Sequence, residues 1–102
     1  MMKYVSNNFS PKMLKGKGAH IVSFKQISQE TFDQKTKDAY SIIGHEDIAK
    51  LLNKPYNRES IQLEQGDELY IALCNKTRLP EKAGVQAKSS LHYMQCKVLN
   101  YT

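Results

Sequence analysis

A chain of 102 residues, of which 40% are hydrophobic, has the length of one domain and the composition for one modest core. Its 15 basic residues outnumber 10 acidic ones, a formal net charge of +5, which points to an anionic partner such as nucleotide, nucleic acid or phosphate. No run approaches the ~20 apolar residues of a membrane span, "MMKYVSNNFS" lacks the apolar stretch of a signal peptide, and two cysteines are too few for a disulfide framework.

These bounds lead to the expectation of a cytosolic protein (the host cytoplasm if it is viral) with residues 1–102 as one domain. Domains this small stay marginal unless something adds to the core, and a dimer interface is one such addition. Cys74 and Cys96 fall in strand-like runs and read as small core hydrophobes. No CxxC, HxH or HExxH spacing is present, so neither a metal nor another cofactor is expected. Trp is absent, and no ribonucleoprotein-type aromatic motif appears, which argues against a sequence-reading RNA domain.

In chain order, "KYVS" (3–6) predicts a first strand. It runs into "NNFSPKML", whose Asn, Ser and Pro are loop chemistry. "KGKG" (15–18) is a turn with two glycines, without the spacing of a phosphate loop. "AHIVSFKQI" (19–27) predicts a second strand. Ser28 reads as a helix cap with Glu30 in the first turn, and residues 29–39 as a helix whose thin apolar face places it on the surface. "YSII" (40–43) is a short buried strand broken by Gly44. "HEDIAKLLN" (45–53) opens a helix with Ile48, Leu51 and Leu52 on one face, closed by Pro55. "SIQLEQ" (60–65) alternates and predicts a strand. "QGDE" (65–68) is a turn. "LYIALCNK" (69–76) is the most apolar run and the expected central strand. "TRLPEKAG" (77–84) is a polar loop. "LHYMQCKVL" (91–99) alternates again, with His92, Met94, Cys96 and Val98 on one side. The order β-β-α-β-α-β-β-β predicts an α/β (mixed α+β) fold, a single mixed sheet flanked by helices.

Polar clusters interrupt this pattern at strand ends and loops, where scaffolds carry binding residues. They are "SNNFS" (6–10), "GH" (44–45), "NR" (57–58) and "RLPE" (78–81). Arg58 and Arg78 are fixed-charge forks suited to phosphate. His45 is the histidine best placed for proton transfer. Glu81 is able to orient His45 or clamp an arginine. Asn7 and Ser10 offer neutral hydrogen bonds to ribose or base. Gly44 permits close backbone approach, and a helix start favours an anion. With no aspartate cluster to suggest magnesium, phosphodiester chemistry here would be metal-independent. The workable route is attack by the substrate's own ribose 2′-hydroxyl, with His45 protonating the departing 5′-oxygen and an arginine stabilising the phosphorane. Each residue also has a plainer reading: His45 as a helix cap, the arginines as solvated loop charges, Glu81 as a turn residue. His20 and His92 lie within strand patterns and read as structural.

"NNFSPKML", "IIGHEDIAKLL", "YNRESIQLEQGDELYIAL" and "TRLPEKAG", in this order, make nearly the whole chain resemble the viral type III anti-CRISPR ring nucleases, a family of small proteins from archaeal viruses with relatives in bacteria and phages. The resemblance implies a homodimer that cleaves cyclic tetra-adenylate, the second messenger that activates type III CRISPR effector nucleases, without a metal or cofactor. It implies linear products ending in 2′,3′-cyclic phosphate, and no membrane or long nucleic acid as partner. Carried over by motif, His45 is the general acid, Arg78 and Glu81 come from "RLPE", Arg58 from "NR", and Asn7 and Ser10 from "N-x-F-S". The family commonly reads "RLPEG", whereas Lys82 and Ala83 here delay the glycine to Gly84. That departure keeps open a second class, a sponge that sequesters a cyclic nucleotide without cutting it. The charge alone keeps open a third, a small nucleic-acid-binding regulator.

Overall fold

The computed structural model describes residues 1–16, 18–74 and 91–101. Its elements are β1 (Lys3–Ser6), a 3₁₀ turn (Pro11–Met13), β2 (His20–Ile27), α1 (Gln29–Lys35), β3 (Tyr40–Ser41), α2 (Glu46–Leu52), β4 (Glu68–Cys74) and β5 (Leu91–Tyr101). The strands form one mixed sheet in the order β2-β5-β4-β1-β3. β4 takes the centre because it is apolar on both faces. Leu69 and Ile71 enter one packing layer, and Tyr70 and Ala72 enter the other. On one side β4 pairs antiparallel with β5, which pairs antiparallel with β2. On the other side it pairs parallel with β1, and β1 pairs parallel with β3.

Both helices contribute to one layer. α1 starts where Ser28 Oγ accepts the Thr31 N–H at 3.1 Å. It ends at Lys35, short of the expected residue 39. Thr36 Oγ1 donates to the Phe32 carbonyl at 2.8 Å, and Lys54 Nζ donates to the Thr36 carbonyl at 3.0 Å, so the chain turns away there. The thin apolar face expected of a surface helix is a single buried side chain. Phe32 is fully buried, with its ring centroid 4.6 Å from that of Tyr93. One aromatic of this size stabilises by about 1.5–3 kcal/mol on burial, which is enough to root a helix whose other residues are exposed or half-buried. α2 buries Ile48, Ala49 and Leu52 on the expected face. It ends at Asn53, whose left-handed φ of 56° is the conformation of a helix terminator.

The other layer holds Ile42, Leu63, Leu69, Ile71, Cys96 and Val98, partly covered by Phe9, Met13, Leu14 and Ile61. The strand expected at residues 60–65 is absent. Only Leu63 makes a bridge, to Leu14, through hydrogen bonds with Met13 and Lys15. Alternation reports which side chains are buried, not whether the backbone finds a ladder. Here Leu63 fills the core while its segment lies against a loop, so the sheet has five strands instead of six. The expected face of β5 is retained: Met94, Cys96 and Val98 pack in this layer, while His92 is exposed at the start of the strand.

The turn before β4 is fixed from within. Asp67 is buried, and its carboxylate accepts the Met2 N–H at 2.9 Å and the Glu64 N–H at 2.8 Å. Gly66, at φ 92°, supplies a turn that a side chain rarely adopts. Burial pushes the Cys96 thiol up to about 11 and the Tyr93 phenol up to about 12. Tyr70 also rises to about 12, by burial first and then by the nearby Glu68 carboxylate. Among the described residues no helix is long and apolar enough to cross a membrane.

Candidate functional site

The parallel half of the sheet brings three strand ends together. β1, β3 and β4 run the same way, so Asn7, the Gly44–His45 junction and the end of β4 at Cys74 lie toward one end. Carboxyl ends of parallel strands are where open α/β sheets bind ligands. There the surface opens into a cleft of about 360 Å³, lined by Asn7, Asn8, Met13, Ile42, Gly44, Arg58, Glu59 and Ser60. The volume is at the lower end of the range of small-molecule sites. Its apolar contributors, Met13 and Ile42, belong to the layer opposite the helices.

Three of the residues singled out from sequence line this cleft together. Asn7 Oδ1 accepts the Gly44 N–H at 3.0 Å, linking the end of β1 to the turn before α2. A Cβ built on Gly44 would meet Arg58 Cγ at 3.5 Å, an ordinary contact. Among the described residues the exposed Arg58 guanidinium makes no hydrogen bond or ion pair, which leaves a fixed positive fork available to an anion.

Arg58 reaches this position through a second set of bonds. The Asn57 N–H donates to the Ile43 carbonyl at 2.9 Å. Asn57 Nδ2 donates to the Ser41 carbonyl at 3.0 Å and to Tyr40 Oη at 3.3 Å. The Ser41 hydroxyl donates to the Pro55 carbonyl at 2.6 Å. Residues 55–57 are thus tied to residues 40–43, and Arg58 and Gly44 follow directly on the two tied segments.

His45 is exposed and adjoins the cleft through Gly44 without lining it. It is the N-cap of α2, with Nδ1 accepting the Ile48 N–H at 3.4 Å. A bond of that length is weak, yet it assigns the lone pair of the neutral ring to Nδ1 and the proton to Nε2. The plain reading as a cap therefore holds. It leaves Nε2 for chemistry. Ser10 caps the Pro11–Met13 turn, with Oγ accepting the Lys12 N–H at 3.4 Å, and does not line the cleft. Arg78, Glu81 and the expected loop at residues 77–84 lie outside the described residues. Of the remaining histidines, His20 Nε2 bonds the Lys15 carbonyl at 2.9 Å at the start of β2.

The sequence reading missed Asn8, Met13, Ile42, Glu59 and Ser60 as cleft residues. Asn8, Glu59 and Ser60 adjoin motif residues and were within reach. Met13 and Ile42 carry no signal that separates a cleft floor from ordinary core. Among the described residues no group of three or more His, Cys, Asp or Glu side chains is gathered closely enough to hold a metal ion.

No curated protein matches the sequence. Among solved structures, the B116 protein of Sulfolobus turreted icosahedral virus matches with a TM-score of 0.80 at 18% identity, over 95% of this chain and 99% of that one. At that identity the match speaks for a shared fold. The sequence pattern of one family spans residues 3–98, nearly the whole chain, and the protein accordingly belongs to the STIV B116-like family, whose namesake is a protein of an archaeal virus.

Proposed function

We propose that the protein is a metal-independent ring nuclease that binds and cleaves cyclic tetra-adenylate and so antagonises type III CRISPR immunity. The observation that carries this reading is the meeting of Asn7, Gly44 and Arg58 in one cleft, with His45 next in the chain after Gly44. These residues come from three of the separate motifs on which the resemblance to ring nucleases rests. The fold of a viral protein family agrees with a role against a host defence.

In the proposed reaction Arg58 holds a bridging phosphate against the cleft wall, with Arg78 as a second cation. Asn7 keeps its Nδ2 for ribose or base while its Oδ1 fixes Gly44. The ribose 2′-oxygen attacks the adjacent phosphorus and the bond from phosphorus to the 5′-oxygen breaks. The 2′-hydroxyl proton passes to water. His45 enters the step as the imidazolium, with Nδ1 protonated and released from the Ile48 N–H, gives its Nε2 proton to the departing 5′-oxygen and is left as a neutral ring, and a 2′,3′-cyclic phosphate remains. Protonating the leaving group is worth roughly 10²–10⁴ in rate. A ring of four identical nucleotides contains a two-fold axis, and a homodimer with C2 symmetry presents two such clefts to it.

The test is incubation of cyclic tetra-adenylate with stoichiometric protein in the presence of a chelator. Linear adenylates ending in 2′,3′-cyclic phosphate are the expected result. A ring recovered intact after tight binding replaces the reading with the sponge. A ring that is neither bound nor cut overturns it.

A further inference from the structure

The four hydrogen bonds between residues 40–43 and 55–57 have a consequence for how the cleft is held. Two of them come from one side chain. Asn57 Nδ2 donates to the Ser41 carbonyl at 3.0 Å and to Tyr40 Oη at 3.3 Å, from a partly buried position. The other two are the Asn57 N–H to Ile43 bond and the Ser41 hydroxyl to Pro55 bond. Among the described residues, residue 58 has no strand partner of its own, and the bridge in this segment pairs Ile43 with Tyr56. Arg58 therefore rests on the residue before it. On the opposite segment, Gly44 is held from the other side by Asn7 at 3.0 Å. Two asparagine amides thus flank the turn, one from β1 and one from the segment that carries the arginine.

We propose that Asn57 is a positioning residue, which locks the Arg58 segment to the Gly44–His45 segment so that the cation and the histidine keep a fixed separation across a bound phosphate. The inference rests on the ring-nuclease reading for its chemistry and on the hydrogen bonds alone for its mechanics. Asn57 does not line the cleft; it acts through Arg58. Its backbone bond survives substitution, so the segments stay in contact when the amide is lost, but their register loosens. A misplacement of about 1 Å costs on the order of 10²-fold in rate.

The test is a double-substitution cycle with Arg58, read under single-turnover conditions and as affinity for cyclic tetra-adenylate. Asn57→Ala is expected to lower the cleavage rate roughly 10- to 100-fold while changing affinity by less. In an Arg58→Ala background the same substitution is expected to change the rate less than about two-fold, because the group it positions is gone. A merely structural role would give the same factor in both backgrounds, and equal factors overturn the proposal. If Asn57→Ala does not fold, Asn57→Leu, which keeps the bulk and removes both donors, enters the same cycle. Amide hydrogen exchange at Asn57 and Gly44 tests the mechanics without a substrate. Faster exchange at both amides in the variant supports the lock, and unchanged exchange overturns it. A parental protein that never cuts the ring refutes the ring-nuclease reading, while the exchange result still decides whether the lock exists.

Discussion

Gly44→Ala separates what the fold requires at the strand–helix junction from what a ligand requires. Glycine is obligatory where φ is positive, as at Gly66, but Gly44 is not among the positive-φ residues. A Cβ added there would have Arg58 Cγ as its neighbour at 3.5 Å, within ordinary contact. Alanine thus fits the native backbone, and it narrows the unfolded ensemble. That combination stabilises by about 0.4–1 kcal/mol. For a domain near this size, the expected rise in Tm is roughly 2–8 °C. The new methyl group stands on the cleft wall beside the arm of Arg58, where the proposed phosphate approaches. An added methyl in a filled site costs about 1–3 kcal/mol, so affinity for cyclic tetra-adenylate should fall roughly five-fold or more. Thermal melting and equilibrium binding on the same preparations provide both readings. A Tm that drops by more than about 2 °C, beyond the sign allowed by compatible backbone geometry, would refute the structural half. A Tm that rises with affinity unchanged would refute the view that this glycine makes room for a ligand.

His45→Asn is the sharper form of the histidine test. Asparagine is among the best N-caps and has no titratable ring, so Tm should hold while single-turnover cleavage falls roughly 10²–10⁴-fold; cleavage at the parental rate would leave His45 a cap and nothing more. His45→Ala should in addition lose about 0.5–1 kcal/mol of stability through the cap, measurable by urea denaturation. Asp67→Asn keeps one acceptor for the Met2 or Glu64 amide and turns an NH₂ group toward the other N–H. The cost should be about 2–4 kcal/mol, with a urea midpoint near the parental value as the contrary outcome. Stability should also decline in alkali. Tyr70 and Tyr93 lie near 12 and Cys96 near 11 in the folded chain, above their unfolded values near 10 and 9. The native state then retains protons that the unfolded chain releases, so their contribution is complete below about pH 9 and fades as pH climbs toward 12. Urea midpoints flat from pH 8 to 11 would count against it.

The elements legible in the sequence were those whose signal is local. Ser28 announced the start of α1 because a capping hydroxyl acts on an amide three residues away. The apolar run of β4 announced the sheet centre because burial on both faces leaves no alternation. The readings that failed turned on distant partners. Residues 60–65 have the period of a strand, but whether Leu63 joins a ladder depends on residues 13–15. The end of α1 was set too late, at residue 39, because the turn at Thr36 involves Lys54, far along the chain.

The site divides in the same way, and the division falls within motifs. Asn7, Gly44 and Arg58 could be singled out because polar residues at strand ends are conspicuous, and the parallel pairing of β1 with β3 and β4 then collects those ends. The tasks of the individual residues could not be read so easily. Ser10 offered a hydroxyl for a ligand and is used as a cap. Asp67, in the "QGDE" turn, is buried and serves two backbone amides. In "NR" the arginine drew attention and the asparagine did not, although Asn57 bonds three residues 14–17 positions earlier in the chain. A buried amide or carboxylate is kept in place by the polar groups it must satisfy, and an exposed guanidinium with no partner among the described residues is not. A short polar motif in this fold is therefore a pair of jobs: one residue fixes the backbone, and its neighbour is presented to whatever enters the cleft.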